Sequence, residues 1–354
     1  MAGRPLFELF HTAEIRPSEN SHDDKSYGKH IVMRLPVVLF GLLFAVVPSI
    51  YADELPATFD WLEVVAFAGH QTDYSGVFVY QYDNRVETTS IVHVNQPDGE
   101  YEKLESLDGP KREIISHNGM VWGLVGRKLV QFGSSYGHGT FPSLLPEQLA
   151  ALRANYKAKL LGMARVAGYN TQIILFQPHD NLRYAHEIWV QTDSGLLLKA
   201  AVLGDNNKVE EQYSFTQLQI GGKIDRSWIK ECDAAAKQGK DKPEASSDIK
   251  PIKSGWVADM LPSGFKKMME IERKMHGRDA PVTQMVFSDG LSSISIFIEP
   301  NDSDDDDGEE QGLSSRGAFN LYRKVLDKEL ITVVGEVPPR TVMQVLDSVR
   351  YNGK

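Results

Sequence analysis

Short apolar runs, joined in pairs by Gly, Asn and Asp turns, recur along most of this chain and limit what it can fold into. Residues 76–82 alternate, with Phe78, Tyr80 and Tyr82 on one side and Val77 and Val79 on the other, which is the period of a half-buried strand. Residues 90–94 predict the next strand. Residues 111–116 and Met120–Val125 flank His117-Asn-Gly119, and residue 129 opens a short strand to Phe132. Residues 160–166 and 171–176 flank a turn at Gly168. Residues 184–191 and 196–203 flank Thr192-Asp-Ser-Gly195, and Val209–Ile220 returns after Gly204-Asp-Asn-Asn207. Consecutive hairpins of this kind build an antiparallel meander. Two helical patterns interrupt it. In the first, Asp60 can cap, Glu63 follows three later, and Leu62, Val65 and Ala66 share a face. The second starts at Pro146 and carries Leu149 and Leu152. The expectation for residues 53–229 is a curved antiparallel sheet with helices covering one side.

Residues 230–253 are small, charged and punctuated by proline, the composition of a linker, with room for a short helix at 231–238. Beyond them, residues 254–354 predict a smaller α+β unit. Residues 284–287 and 291–298 pair across Ser288-Asp-Gly290, a strong hairpin signal. Phe319–Leu326 and residues 330–334 form another pair. Pro338 and Pro339 lead in a closing helix with Val342, Val345, Leu346 and Val349 at helical spacing.

The start of the chain sets a compartment. Lys29 and Arg34 precede an uncharged apolar run from Leu35 to Val47, Pro48 breaks it, and small or uncharged residues lead to Ala52. That is the build of a secretory signal peptide over 33–52, too short to span a bilayer comfortably. Residues 1–32 precede it without periodicity and read as an over-extended start, with Met33 as the initiator. The expected mature chain begins near Asp53 as an exported protein that works outside the cytoplasm. Its one cysteine, Cys232, lies between Glu231 and Asp233, whose charges disfavour the thiolate. Formal net charge is −10, which speaks against nucleic-acid partners.

Catalytic signals fail their context tests. Gly133-Ser-Ser-Tyr-Gly137 matches Gly-x-Ser-x-Gly around Ser135, but Gly137-His-Gly-Thr-Phe-Pro142 cannot begin the helix that motif requires. His179-Asp180 and His186-Glu187 lack metal-ligand spacing. The acidic run 302–310 lacks the ligands of a calcium loop at its first and last positions. No catalytic residue, metal or cofactor is expected. The remaining candidates are aromatic: Phe78, Tyr80, Tyr82, Trp122, Phe132, Tyr136, Phe141 and Trp189. Two readings stay open for them. One is a sheet face packed on its own helices, the commoner fate of apolar faces. The other is a half-open cavity holding acyl chains.

A resemblance emerges from collinear segments. Leu107-Asp-Gly-Pro-Lys-Arg-Glu-Ile-Ile115 is similar to a segment of the RseB/MucB family, regulators of the sigma-E envelope stress response. Its family-motif residues are Asp108, Gly109, Pro110, Lys111, Arg112 and Glu113. Residues 188–199, 209–215, Leu261-Pro-Ser-Gly-Phe265, Phe287-Ser-Asp-Gly-Leu291 and 331–339 follow in order. The resemblance implies an N-terminal unclosed antiparallel β-barrel with covering helices, LolA/LolB-like and lipid-sensing. To this it adds a smaller C-terminal α+β domain that binds the anti-sigma factor. It also implies the partners: the periplasmic segment of a membrane-spanning anti-sigma factor, shielded from site-1 proteolysis; a lipopolysaccharide or acyl-chain ligand; and further copies of the chain. The alternative is a periplasmic lipid or lipoprotein carrier.

Overall fold

The computed structural model describes residues 57–125, 128–134, 141–143, 148–230, 249–273, 280–301 and 311–353. The signal segment, Ser135, Tyr136, Cys232, most of the linker and the acidic run 302–310 lie outside the described residues, as does the side chain of Phe132.

The N-terminal half is one 11-stranded antiparallel sheet that does not close. Its strands are β1 (Tyr74–Tyr82), β2 (Arg85–Gln96), β3 (Gly99–Ser106), β4 (Glu113–His117), β5 (Met120–Val125), β6 (Lys128–Ser134), β7 (Tyr156–Val166), β8 (Tyr169–Pro178), β9 (Ala185–Gln191), β10 (Leu197–Leu203) and β11 (Val209–Ile220). Their order is β6-β5-β4-β3-β2-β1-β11-β10-β9-β8-β7, so two meanders join where β1 meets β11, and β6 and β7 are the edges. The turns supply the left-handed residues that tight hairpins demand. Asn118 and Gly119 have φ of 48° and 76°, and Ala167 and Gly168 have 48° and 87°.

Helix α1 (Ala57–Gln71) and helix α2 (Gln148–Asn155) lie on one face of this sheet. Leu62 and Val65 of α1 and Leu152 of α2 are fully buried against Ile174, Phe176, Ile188 and Val190. Each such side chain contributes about 2 kcal/mol. The helix starts at Ala57, so Asp60 lies in its first turn rather than at the cap. The opposite face is also partly covered. The segment after β11 brings Trp228 onto Val94, Tyr101 and Ile115.

The C-terminal half is a seven-stranded antiparallel sheet, ordered β12-β14-β15-β16-β19-β18-β17. Its strands are β12 (Ile249–Pro251), β14 (Lys266–Arg273), β15 (Val282–Ser288), β16 (Ser293–Pro300), β17 (Gly312–Arg316), β18 (Phe319–Leu326) and β19 (Glu329–Gly335). Helix α3 (Pro339–Asp347) carries proline in its first turn, where no N–H is missed. It buries Val342, Val345 and Leu346 on the sheet. The helix does not close the chain. Val349 belongs to β20 (Val349–Tyr351), which pairs with β13 (Trp256–Ala258) and ties the C-terminus to the start of the domain.

Candidate functional site: the aromatic face and the domain seam

Alternation on β1 puts Phe78, Tyr80 and Tyr82 on the helix-covered face. Opposite them on β11 stand Phe215 and Tyr213. Phe141, delivered by the loop that follows β6, lies over this group with ring centroids 5.2–5.4 Å from Phe215, Phe78 and Tyr213. Tyr80 stacks on Tyr213 at 4.4 Å. Phe141 is only half buried on this aromatic floor. One predicted member, Trp122, is elsewhere. Trp122 neighbours Val121, which packs with Phe78, and strand alternation sends Trp122 to the other face beside its cross-strand partner Ile115. Trp189 packs against the cluster that holds Phe78 and Phe215 and also against Ala185, Ala201 and Leu203, and it lies under the Lys199 ammonium, 4.3 Å from its ring centroid.

Tyr80 and Tyr82 also do something the sequence did not suggest, because their polar ends meet the C-terminal domain. Tyr80 Oη donates to the buried Glu211 at 2.9 Å, and the same carboxylate oxygen accepts the Ala318 N–H at 3.4 Å. Arg316 donates to Tyr82 Oη and lies over its ring at 4.6 Å. Gly317 has φ +55°, and a Cβ there would meet Tyr82 at 3.0 Å, so glycine eases this close approach.

The centre of the seam is Arg183, whose side chain is 0% exposed. Its guanidinium donates to Asp289 at 2.5 Å, to the Ser263 carbonyl at 2.6 Å and to Asp180 at 3.0 and 3.2 Å. The rings of Tyr156 and Phe265 sandwich it at 5.6 and 5.4 Å. Asp289 also accepts from Tyr156 Oη at 3.0 Å and from the N–H groups of Leu291 and Ser292. Burial pushes the Asp289 carboxyl up, against these donors and Arg183. Beside it, His186 approaches Ser292 at 3.5 Å, and burial pushes its imidazole down to about 4. At the rim Arg340 chelates Asp205, and Asn320 donates to Tyr184 at 3.0 Å. Two segments that carried the family resemblance therefore converge here. Leu261-Pro-Ser-Gly-Phe265 supplies Ser263 and Phe265, while Gly264, at φ +82°, lies against Asn155; Phe287-Ser-Asp-Gly-Leu291 supplies Asp289.

A second polar cluster fastens the end of α1 to the sheet. His70 hydrogen-bonds Glu100 at 2.8 Å, and His93 Nδ1 donates to the Thr72 carbonyl at 2.9 Å. That leaves His93 Nε2 facing the Glu100 carboxylate at 3.7 Å. The Glu100 hydrogen bond raises His70. Burial alone would lower His93, but Glu100 and Glu102 outweigh it and raise it. Burial alone would likewise raise Glu100, yet the two imidazoles push it down to about 2.

The segment Asp108–Glu113 is a locked turn. Asp108 accepts the Thr88 N–H at 2.5 Å, Ser106 Oγ donates to the Asp108 carbonyl, Gly109 takes φ +67°, and Pro110 follows it at the exposed tip. Lys111 bridges Glu105 and Glu113 at 3.1 and 3.5 Å, and the Arg112 carbonyl accepts the Ser106 N–H at 2.9 Å. Among the described residues no group of three or more His, Cys, Asp or Glu side chains could hold a metal ion, and no helix is long and apolar enough to cross a membrane.

Comparison with known proteins follows the same two halves. Residues 58–232 match the MucB/RseB N-terminal domain and residues 250–350 the MucB/RseB C-terminal domain. The sigma factor AlgU regulatory protein MucB of Pseudomonas aeruginosa PAO1 is 30% identical over 326 residues, covering 89% of this chain and 96% of the relative. The sigma-E factor regulatory protein RseB of Escherichia coli K12 is 23% identical, covering 91% and 98%. The solved MucA/MucB complex of Pseudomonas aeruginosa superposes with TM-score 0.63 at 27% identity, covering 84% of this chain and 99% of that one.

Proposed function

Because the chain belongs to the MucB/RseB family, we propose that it is a periplasmic regulatory binding protein and not an enzyme. It binds the periplasmic segment of a membrane-spanning anti-sigma factor, shields that segment from site-1 proteolysis, and so represses a sigma-E-type response. The observation that carries this reading is the likeness, through both sheets, to a relative solved as a complex with MucA. Residues 33–52 export the protein; residues 53–229 form the lipid-sensing domain, residues 254–354 the domain that engages the anti-sigma factor, and residues 230–253 the hinge.

Release by lipopolysaccharide or another acyl ligand follows from linkage. A ligand displaces the partner only if it binds the free form better than the complexed form. An acyl chain that replaces Phe141 over Phe78, Tyr213 and Phe215 would press on β1 and β11. Those strands hold Tyr80, Tyr82 and Glu211, and thereby one end of the seam. The protein also self-associates in this reading.

A pull-down with the anti-sigma periplasmic segment, followed by limited digestion with the site-1 protease, tests the proposal. Retention and protection are expected. A protein that holds lipid but never retains the segment would instead be a lipid or lipoprotein carrier.

A further inference from the structure

Among the described residues β7 is an edge strand of eleven residues, Tyr-Lys-Ala-Lys-Leu-Leu-Gly-Met-Ala-Arg-Val, about 37 Å long at strand rise. It pairs with β8 on one side only. Its charges are Lys157, Lys159 and Arg165, all exposed, with no acid among them, in a chain of net charge −10. Between them Leu161 and Met163 are 51% and 60% exposed. Lysines and a bulge are the devices by which sheets keep an edge unpaired, and β7 has a bulge between Leu160 and Gly162. Exposed Leu and Met at the middle of that edge work against such protection.

We infer that β7 is a docking edge for an extended segment of the anti-sigma factor, apolar at its centre and acidic at its flanks, added as a twelfth strand. The inference rests on the function proposed above and names where the partner lies. Main-chain hydrogen bonds would supply affinity, and the flanking cations would select the sequence. A second copy of this chain is the wrong occupant, because edge-to-edge pairing sets cations against cations, which is destabilising. The edge also begins at the seam. Tyr156, its first residue, donates to Asp289, and Asn155 lies against Gly264 of the C-terminal domain. A strand laid on β7 therefore runs up to the joint whose geometry controls release.

Hydrogen exchange of the full chain, with and without the periplasmic segment of its anti-sigma factor, is the test. The segment should slow exchange across residues 156–166 at least tenfold. The double variant K159E/M163E alters only exposed side chains. It should keep the wild-type melting temperature and bind the segment at least tenfold more weakly, with a flatter salt dependence. Binding that leaves exchange at 156–166 unchanged, or a double variant within twofold of wild type, overturns the inference while leaving the function intact. So does protection of 156–166 that appears without the segment and grows with protein concentration, which would assign the edge to a second copy. A segment that does not bind at all removes the proposed function and this inference together.

Discussion

The domain seam and the aromatic face are built on opposite principles. At the seam, each nitrogen of a buried guanidinium meets a named acceptor: Asp289, Asp180 or the Ser263 carbonyl. Shifting one domain by an ångström leaves charges buried and unpaired, so the joint is either made or broken. On the aromatic face, Phe141 rests on Phe78, Tyr213 and Phe215 with no directional bond holding it. Another apolar body can take its place at little cost, since dispersion and burial are not directional. The difference teaches how one chain can combine a joint held by directional bonds with a ring held by apolar contact alone. Tyr80 and Tyr82 belong to both regions and couple them.

Arg183→Met attacks the seam most directly. It leaves Asp289 buried without its cation and should cost about 3–5 kcal/mol in urea unfolding, with the two domains melting separately. A loss below about 1 kcal/mol would show that the seam is not the joint described. Acid is the next lever. His186 has a folded pKa near 4, below its ordinary 6.5, so the unfolded chain takes its proton first. Stability should fall as pH drops from about 6.5 to 4, by up to about 3 kcal/mol, and His186→Gln should flatten that slope.

Phe141→Ala should be milder. Its half-buried ring predicts about 1–2 kcal/mol, below the range for fully buried Phe→Ala, together with tighter uptake of a fluorescent fatty acid. Weaker uptake would mean that Phe141 holds the acyl chain rather than stands in its place. The smallest effect is expected at the α1 clasp, and it has the opposite pH sign. His70 and His93 are raised in the folded state, so their contribution is present below 6.5 and is lost as pH rises through the folded values. His70→Gln should remove about 0.5–1 kcal/mol at pH 6 and nothing at pH 9, read from melting temperatures.

How much of this was legible in the sequence depended on whether the signal was local. Met120–Val125, Val209–Ile220 and Phe319–Leu326 match their expected bounds, because turn chemistry and alternation are written within a few residues. β3 and β14 were missed. Their sequences, Gly-Glu-Tyr-Glu-Lys-Leu-Glu-Ser and Lys-Lys-Met-Met-Glu-Ile-Glu-Arg, carry charges where an isolated strand would be read as loop, and only neighbouring strands make them sheet. The face of an aromatic residue was legible within one strand, as for Phe78 and Tyr80. It was not legible between strands, as for Trp122, which pairs with Ile115. Arg183 left no local trace at all. Its partner Asp289 lies 106 residues away and reads alone as a hairpin residue, which it also is. Buried pairs that join domains are fixed by tertiary geometry, and no pattern along the chain records them.

The central claim is that an acyl ligand on the aromatic face and an anti-sigma segment compete through the seam. Titration calorimetry of the periplasmic segment, in the absence and presence of saturating lipopolysaccharide, measures this coupling directly. The account predicts binding at least tenfold weaker with lipopolysaccharide present, a coupling of about 1.4 kcal/mol, and a much smaller change in Arg183→Met, whose domains are already uncoupled. Affinities within twofold of each other for the wild-type protein would contradict it.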